Sequence, residues 1–84
     1  MMSKKIEVKT PMSGVFYCKP APDQAPFVEV GDIVKKKQTL ALLETMKMFQ
    51  KVKAPVAGKV VKVAAENEQA LGDGALMFVL EQEE

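Results

Sequence analysis

Apolar and polar residues alternate in short bursts along this chain. Ile6-Glu7-Val8-Lys9 has a period of two, and so does Lys51-Val52-Lys53-Ala54. Residues 58–63 (Gly-Lys-Val-Val-Lys-Val) are dense in β-branched side chains, and residues 39–44 and 75–81 are short apolar runs bounded by polar turns. Period-two alternation turns one face of a strand inward, and β-branched residues suit a pleated surface. Proline at 11, 20, 22, 26 and 55 and glycine at 14, 31, 58, 72 and 74 separate these bursts. Short strands at close spacing with turn residues between them predict an all-β sandwich or barrel. Residues 64–71 have the propensity for a helical turn, which Gly72-Asp73-Gly74 would end.

The pattern repeats. Pro11-Met12-Ser13-Gly14 resembles Pro55-Val56-Ala57-Gly58, and a closing Leu43-Glu44 resembles Leu80-Glu81 in the same order. Two such halves packed face to face would make a sandwich with approximate twofold symmetry, joined by a tight hairpin at residues 45–47. Counted from Val34 to Leu40 and from Leu71 to Leu76, the second half has a turn one residue shorter. Alignment of Glu29-Val30-Gly31-Asp32 with Glu66-Asn67-Glu68-Gln69 makes the first half seven residues longer after its Gly, since Gly14 to Gly31 is 17 positions and Gly58 to Glu68 is 10. The excess falls in residues 17–26, which hold three of the five prolines. Proline fixes φ and removes a donor, so the insertion is expected to be a stiff protruding loop.

Composition narrows the function. The chain has 84 residues, 48% hydrophobic and 27% charged, with a net charge of +1. That suits one small domain over residues 1–84. There is no His and one Cys, Cys18, which excludes a Ser-His-Asp triad, His-ligated zinc and an internal disulfide. All 12 basic residues are Lys. The missing Arg and the small net charge argue against nucleic acid and against an anionic membrane. The N-terminal residues carry no hydrophobic signal region and no run is long enough to span a bilayer, so the cytoplasm is the expected compartment.

The chemistry concentrates at the joint, Leu43-Glu44-Thr45-Met46-Lys47-Met48-Phe49. Two readings stand. The methionines pack inward and Lys47 is a solvated turn residue, which is what most lysines are. Alternatively, Lys47 is a covalent attachment point and the methionines form an exposed apolar rim read by a modifying enzyme. Lys35-Lys36-Lys37 is either a solvated turn that discourages edge pairing or a docking patch.

Glu44-Thr45-Met46-Lys47-Met48 resembles the Glu-Ala-Met-Lys-Met attachment motif of biotinyl domains. Pro11 lies 36 residues before the lysine, Pro55 eight after it, and 37 residues follow it. The resemblance covers residues 6–81. With Pro20-Ala21-Pro22-Asp23 and Phe27-Val28-Glu29-Val30-Gly31 it extends to the carrier domains of bacterial-type acetyl-CoA carboxylases, where the insertion is called the thumb. It implies a flattened barrel of two four-stranded antiparallel sheets and biotin on Lys47. It also implies recognition by a biotin protein ligase through Glu44, Met46 and Met48, and a thumb that includes Tyr17, Pro20, Pro22 and Asp23. The implied role is non-catalytic: CO2 is shuttled from a biotin carboxylase to a carboxyltransferase acting on an acyl-CoA, with acetyl-CoA favoured. A lipoyl carrier and an unmodified protein-binding barrel are the alternatives. Lipoyl domains generally show Asp-Lys-Ala at this turn, and an unmodified barrel needs no Met-Lys-Met.

The chain departs from the family pattern at three positions. Thr45 replaces the usual Ala. Lys37 and Glu68 stand where turn glycines are common, so those turns are expected to change type or carry strain.

Overall fold

The computed structural model describes residues 3–46 and 48–83. Eight strands follow one another: β1 (Ser3–Lys9), β2 (Gly14–Tyr17), β3 (Ile33–Val34), β4 (Thr39–Glu44), β5 (Phe49–Lys53), β6 (Gly58–Val63), β7 (Gln69–Leu71) and β8 (Leu76–Glu83). They form two four-stranded antiparallel sheets, ordered β1-β8-β6-β3 and β5-β4-β2-β7, and the sheets do not close into one barrel. There is no helix among the described residues, and the window 64–71 forms a turn followed by β7. Val63, Ala65 and Leu71 are drawn into the core, which sets strand geometry over helical propensity.

The strand order exposes the symmetry. Advancing each strand of the first sheet by four positions in chain order turns it into the second. The twofold therefore relates the sheets, but each sheet takes two strands from each half of the chain. The halves interlace rather than stack. Register agrees: Val15 opposite Glu44 and Phe16 opposite Leu43 correspond to Lys59 opposite Glu81 and Val60 opposite Leu80. By the same register Val34, opposite Gly58, is the mate of Leu71, opposite Gly14. The two turns that follow Val34 and Leu71 are then equal in length, residues 35–38 and 72–75. The apparent shortening came from aligning Leu40 with Leu76, whereas Leu40 is the mate of Met77.

Inward-facing residues of both sheets make one core. Phe16 and Phe78 lie across the sandwich with ring centroids 5.7 Å apart, among the fully buried Leu40, Leu43, Met77, Leu80, Val34 and Val60. Thr10 is a buried polar residue whose hydroxyl donates to the Gly72 carbonyl at 2.9 Å.

Four turns share one design. In each, the fourth residue's N–H donates to the first residue's carbonyl: Asp32 to Glu29 at 3.0 Å, Gln38 to Lys35 at 3.0 Å, Gln69 to Glu66 at 3.1 Å and Ala75 to Gly72 at 3.2 Å. The third residue has positive φ: Gly31 at 101°, Lys37 at 74°, Glu68 at 67° and Gly74 at 74°. Gly31 is the mate of Glu68, and Gly74 of Lys37. Each pair thus has glycine on one side and a strained charged residue on the other. The turns kept their type and accepted the strain.

The glycines of the Pro-x-x-Gly repeats have a different role. A Cβ on Gly14 would lie 2.7 Å from the Glu44 carbonyl oxygen, and one on Gly58 would lie 2.5 Å from that of Glu81. Only a bare backbone passes there.

Lys37→Gly and Glu68→Gly should each raise the unfolding free energy by about 0.5–1 kcal/mol. A left-handed non-glycine residue costs roughly 1–2 kcal/mol, and the chain entropy of glycine offsets part of the gain. Gly58→Ala should lower it by more than about 2 kcal/mol, because its Cβ meets backbone. Urea unfolding measures all three, and a destabilised Lys37→Gly would remove the strain reading.

Candidate functional site

The β4–β5 ladder runs out to Glu44 opposite Phe49. Just beyond it, the Thr45 N–H donates to the Met48 carbonyl at 2.9 Å and the Thr45 hydroxyl donates to the same oxygen at 3.0 Å. The neck of the hairpin is pinched shut, and the Thr45 hydroxyl, which an alanine would lack, adds a second clasp. Lys47 itself lies outside the described residues. Its sequence neighbours do not pack inward: Met46 is fully exposed, Met48 is 60% exposed and Phe49 57%. The hairpin thus carries its apolar side chains outside the core.

Glu44 is half-buried and accepts a hydrogen bond from the Tyr17 hydroxyl at 2.9 Å. The Tyr17 ring lies 5.9 Å from that of Phe49, tilted by 56°. The root of the thumb is thereby braced against the base of the hairpin. The bond to the Glu44 carboxylate, helped by desolvation and by the charges of Glu44 and Glu68, holds the Tyr17 phenol above its ordinary value of 10.0.

The thumb is closed at its base by the Phe27 N–H donating to the Cys18 carbonyl at 2.9 Å, and a turn from Ala21 to Gln24 forms its tip. The Asn67 carboxamide oxygen accepts the Cys18 N–H at 2.9 Å and lies 3.6 Å from the Cys18 thiol. Between thumb and hairpin runs a groove of about 190 Å³, whose walls include Pro20 and Pro22 on one side and Leu42 and Phe49 on the other. Tyr17, Asn67 and Glu68 give it polar edges. A second, shallower depression of about 390 Å³ is bounded by Met12, Ser13, Thr45, Met46, Met48 and Gln50. Among the described residues, no three His, Cys, Asp or Glu side chains converge as metal ligands. No helix among them is long and apolar enough to cross a membrane.

The structure brings together Glu44, Met46, Met48, Tyr17, Pro20 and Pro22 around one hairpin. Asp23 is exposed at the thumb tip and does not line the groove. Sequence reasoning gave no role to Phe49, Asn67 or the Thr45 hydroxyl. Period-two counting along β5 would have found Phe49, since buried Val52 fixes which face points outward. Asn67 leaves no local signal, because its partner Cys18 is 49 residues away.

Residues 6–80 match the model of the biotin/lipoyl family described as biotin-requiring enzyme. The chain is 44% identical over 64 residues to the biotin carboxyl carrier protein of acetyl-CoA carboxylase from Nostoc sp., covering 76% of this chain and 35% of that protein. It is 43% identical over 67 residues to the protein of the same name from Streptococcus pyogenes, covering 80% and 40%. With the chloroplastic one of Glycine max it shares 38% over 74 residues, covering 88% and 28%. The chain thus spans less than half the length of these relatives. Its fold superposes on part of a single-chain, multi-domain long-chain acyl-CoA carboxylase with a TM-score of 0.78 at 21% identity, covering 95% of this chain and 7% of that one. It also superposes on part of the urea carboxylase of Kluyveromyces lactis, with a TM-score of 0.75 at 27% identity, covering 92% and 6%.

Tyr17 is the single tyrosine of the chain, so phenolate absorbance reports it directly. Its titration should be centred above 10.0, and Glu44→Gln should move it back toward that value. A raised phenol favours the folded state below the unfolded value. That contribution is present at neutral pH and is lost as pH climbs through the folded value. A wild-type midpoint at the ordinary value would remove the brace.

Proposed function

The chain belongs to the biotin/lipoyl family of biotin-requiring enzymes, and from that premise we propose that it is a carrier in which biotin, joined as an amide to Nζ of Lys47, shuttles CO2 from a biotin carboxylase to a carboxyltransferase acting on an acyl-CoA. The observation that carries this reading is the exposure of Met46 and Met48 on either side of Lys47 in sequence, beyond a hairpin neck pinned by Thr45. The likeness to biotin carboxyl carrier proteins of acetyl-CoA carboxylase supports acetyl-CoA as the favoured acceptor. The ATP, bicarbonate and acyl-CoA that such steps consume agree with the expected cytoplasmic setting. In this reading residues 1–84 are one biotinyl domain with its core at about 6–81.

The residues fit that group by their chemistry. Lysine near its reference value of about 10.4 is almost wholly protonated at neutral pH, so it is a poor nucleophile unaided. A biotin protein ligase has to bring an activated acyl group and take the proton, and this reading assigns the ligase both tasks. The carrier offers it a rigid neck and an apolar rim. Met46 and Met48 supply soft contact area, and Glu44, held by Tyr17, fixes the base of the turn. Bound biotin supplies the place where CO2 is held. Tyr17, Pro20 and Pro22 wall the groove next to the hairpin, where the end of the arm or a partner subunit would rest. Tethering raises the local concentration of the arm's end at each active site above what free biotin could reach.

Intact mass after coexpression with a biotin ligase and excess biotin tests the proposal. One biotinyl increment is expected, absent from Lys47→Arg. No increment, or one that persists in Lys47→Arg, would overturn it, and a lipoyl increment would move the chain to the lipoyl branch.

The hairpin rim and the thumb should separate by assay. Met46→Gln with Met48→Gln should lower ligase kcat/KM about tenfold, equivalent to ~1.4 kcal/mol of lost transition-state contact, with Tm unchanged. Shortening the loop between Cys18 and Phe27 should leave labelling intact and slow turnover with the two carboxylase subunits. Unchanged labelling in the methionine variant, or unchanged turnover in the thumb variant, would strip that element of its role.

A further inference from the structure

One exposed strip lies outside the hairpin, the thumb and the groove between them. Val30 and Ile33 are 63% and 73% exposed. Ile33 stands opposite the exposed Lys59 in register, and Lys35, Lys36 and Lys37 follow on the adjoining turn, all exposed. None of these four lysines forms an ion pair among the described residues.

The twofold supplies an internal control. The mates of Val30, Ile33, Lys35, Lys36 and Lys37 are Asn67, Ala70, Gly72, Asp73 and Gly74. The backbone corresponds in both places, with equivalent turn hydrogen bonds and φ of 74° at Lys37 and Gly74 alike. The fold therefore does not need aliphatic or cationic side chains on this strip. Nor does protection of a sheet edge explain them, because β7, the mate edge, is followed by Gly72-Asp73-Gly74. Lys37 keeps a charge at a position where glycine would relieve strain. Strain retained against a cheaper option points to use.

We propose that Val30, Ile33, Lys35, Lys36, Lys37 and Lys59 form a docking surface for a carboxylase subunit that presents an apolar centre ringed by Asp and Glu carboxylates. The proposal rests on the carrier reading for the identity of that partner. Charge complementarity sets its chemistry: ammonium groups with no ion pair among the described residues, opposite Ile33 at Lys59 and on the turn that follows β3, suit an acidic rim beside an apolar contact. Position supports it. The turn at residues 35–38 hydrogen-bonds to Ala54, just past the end of β5 opposite its hairpin, with Lys37 N–H to Ala54 O at 2.8 Å and Ala54 N–H to Gln38 O at 2.9 Å. Along β4 this lies about 20 Å from the hairpin neck at ~3.3 Å per residue. A subunit held there leaves Lys47 free to be modified and to deliver its arm.

The test transplants the mate residues: Val30→Asn, Ile33→Ala, Lys35→Gly, Lys36→Asp and Lys37→Gly together, with Ile33→Gln alone as a milder variant should the fivefold change misfold. Affinity for isolated biotin carboxylase and carboxyltransferase subunits is measured on chain with and without biotin, at low and high salt. KM for the biotinylated chain is measured alongside. Labelling by the ligase should be unchanged. Affinity for one subunit should fall, and its KM rise, by about tenfold, and the salt dependence seen in the wild type should disappear. Unchanged affinity and KM for both subunits would overturn the docking surface. So would binding of the wild type to anionic lipid vesicles that the transplant abolishes, with subunit affinity intact. A wild-type chain that takes no biotin would sink the carrier reading separately, and the affinities of unlabelled chain would still decide the surface.

Discussion

Two passes of bare backbone hold this fold together. Gly14 enters β2 against the carbonyl of Glu44, and Gly58 enters β6 against the carbonyl of Glu81, at distances no Cβ tolerates. Each pass lets a strand leave its Pro-x-x-Gly turn and pair at once with the closing strand of its own half. The rest depends on it. Register follows from it, register puts Phe16 and Phe78 in the middle, and the Glu44 pass fixes the last residue of β4 before the hairpin. The glycine that serves packing also aims the site.

Symmetry then separates what the fold needs from what function adds. Mates agree wherever the backbone is at stake: the two glycines, the four turns, the fully buried Leu43 and Leu80. They disagree on the outside. Phe49 opposite Glu44 has Lys5 opposite Glu81 as its mate, so one strand end shows an aromatic ring and the other an ammonium. The thumb is inserted in one half only, and its root is tied by Tyr17 to the end that carries the ring. The sandwich has two equivalent ends, and among the described residues the exposed methionines, the aromatic bracket and the thumb groove gather at the hairpin end.

The strands were legible because alternation and β-branching are local. Residues 39–44 were readable as a strand, and so were both Pro-x-x-Gly openings and the projecting loop. Interlacing of the halves was not, because it is decided by which sheet buries Val34 and Leu71, a choice no single strand records. The length of the turn before Leu76 was not legible because the adjacent apolar residues Leu76 and Met77 offer two alignments with Leu40, and only pairing across strands selects one. The helical potential of residues 64–71 lost to burial of Ala65 and Leu71. At the site, the hairpin and its methionines could be read directly. The Tyr17–Glu44 bond and the Asn67 cap join residues 27 and 49 positions apart, and each needs the fold before it exists.

Lys37 and Glu68 are where local preference and overall structure disagree. The turns they occupy accept glycine in their mates, and nothing in the core asks for a charge there. A sequence that only had to fold would resolve both conflicts in the same way. Glu68 instead edges the groove beside the hairpin, and Lys37 caps the lysine strip beside Ile33. The two strained charges thus lie on separate surfaces, one near the β4–β5 hairpin and one far from it. The proposed carrier, held by one protein while its arm is worked on by another, would need two such surfaces, far enough apart not to compete.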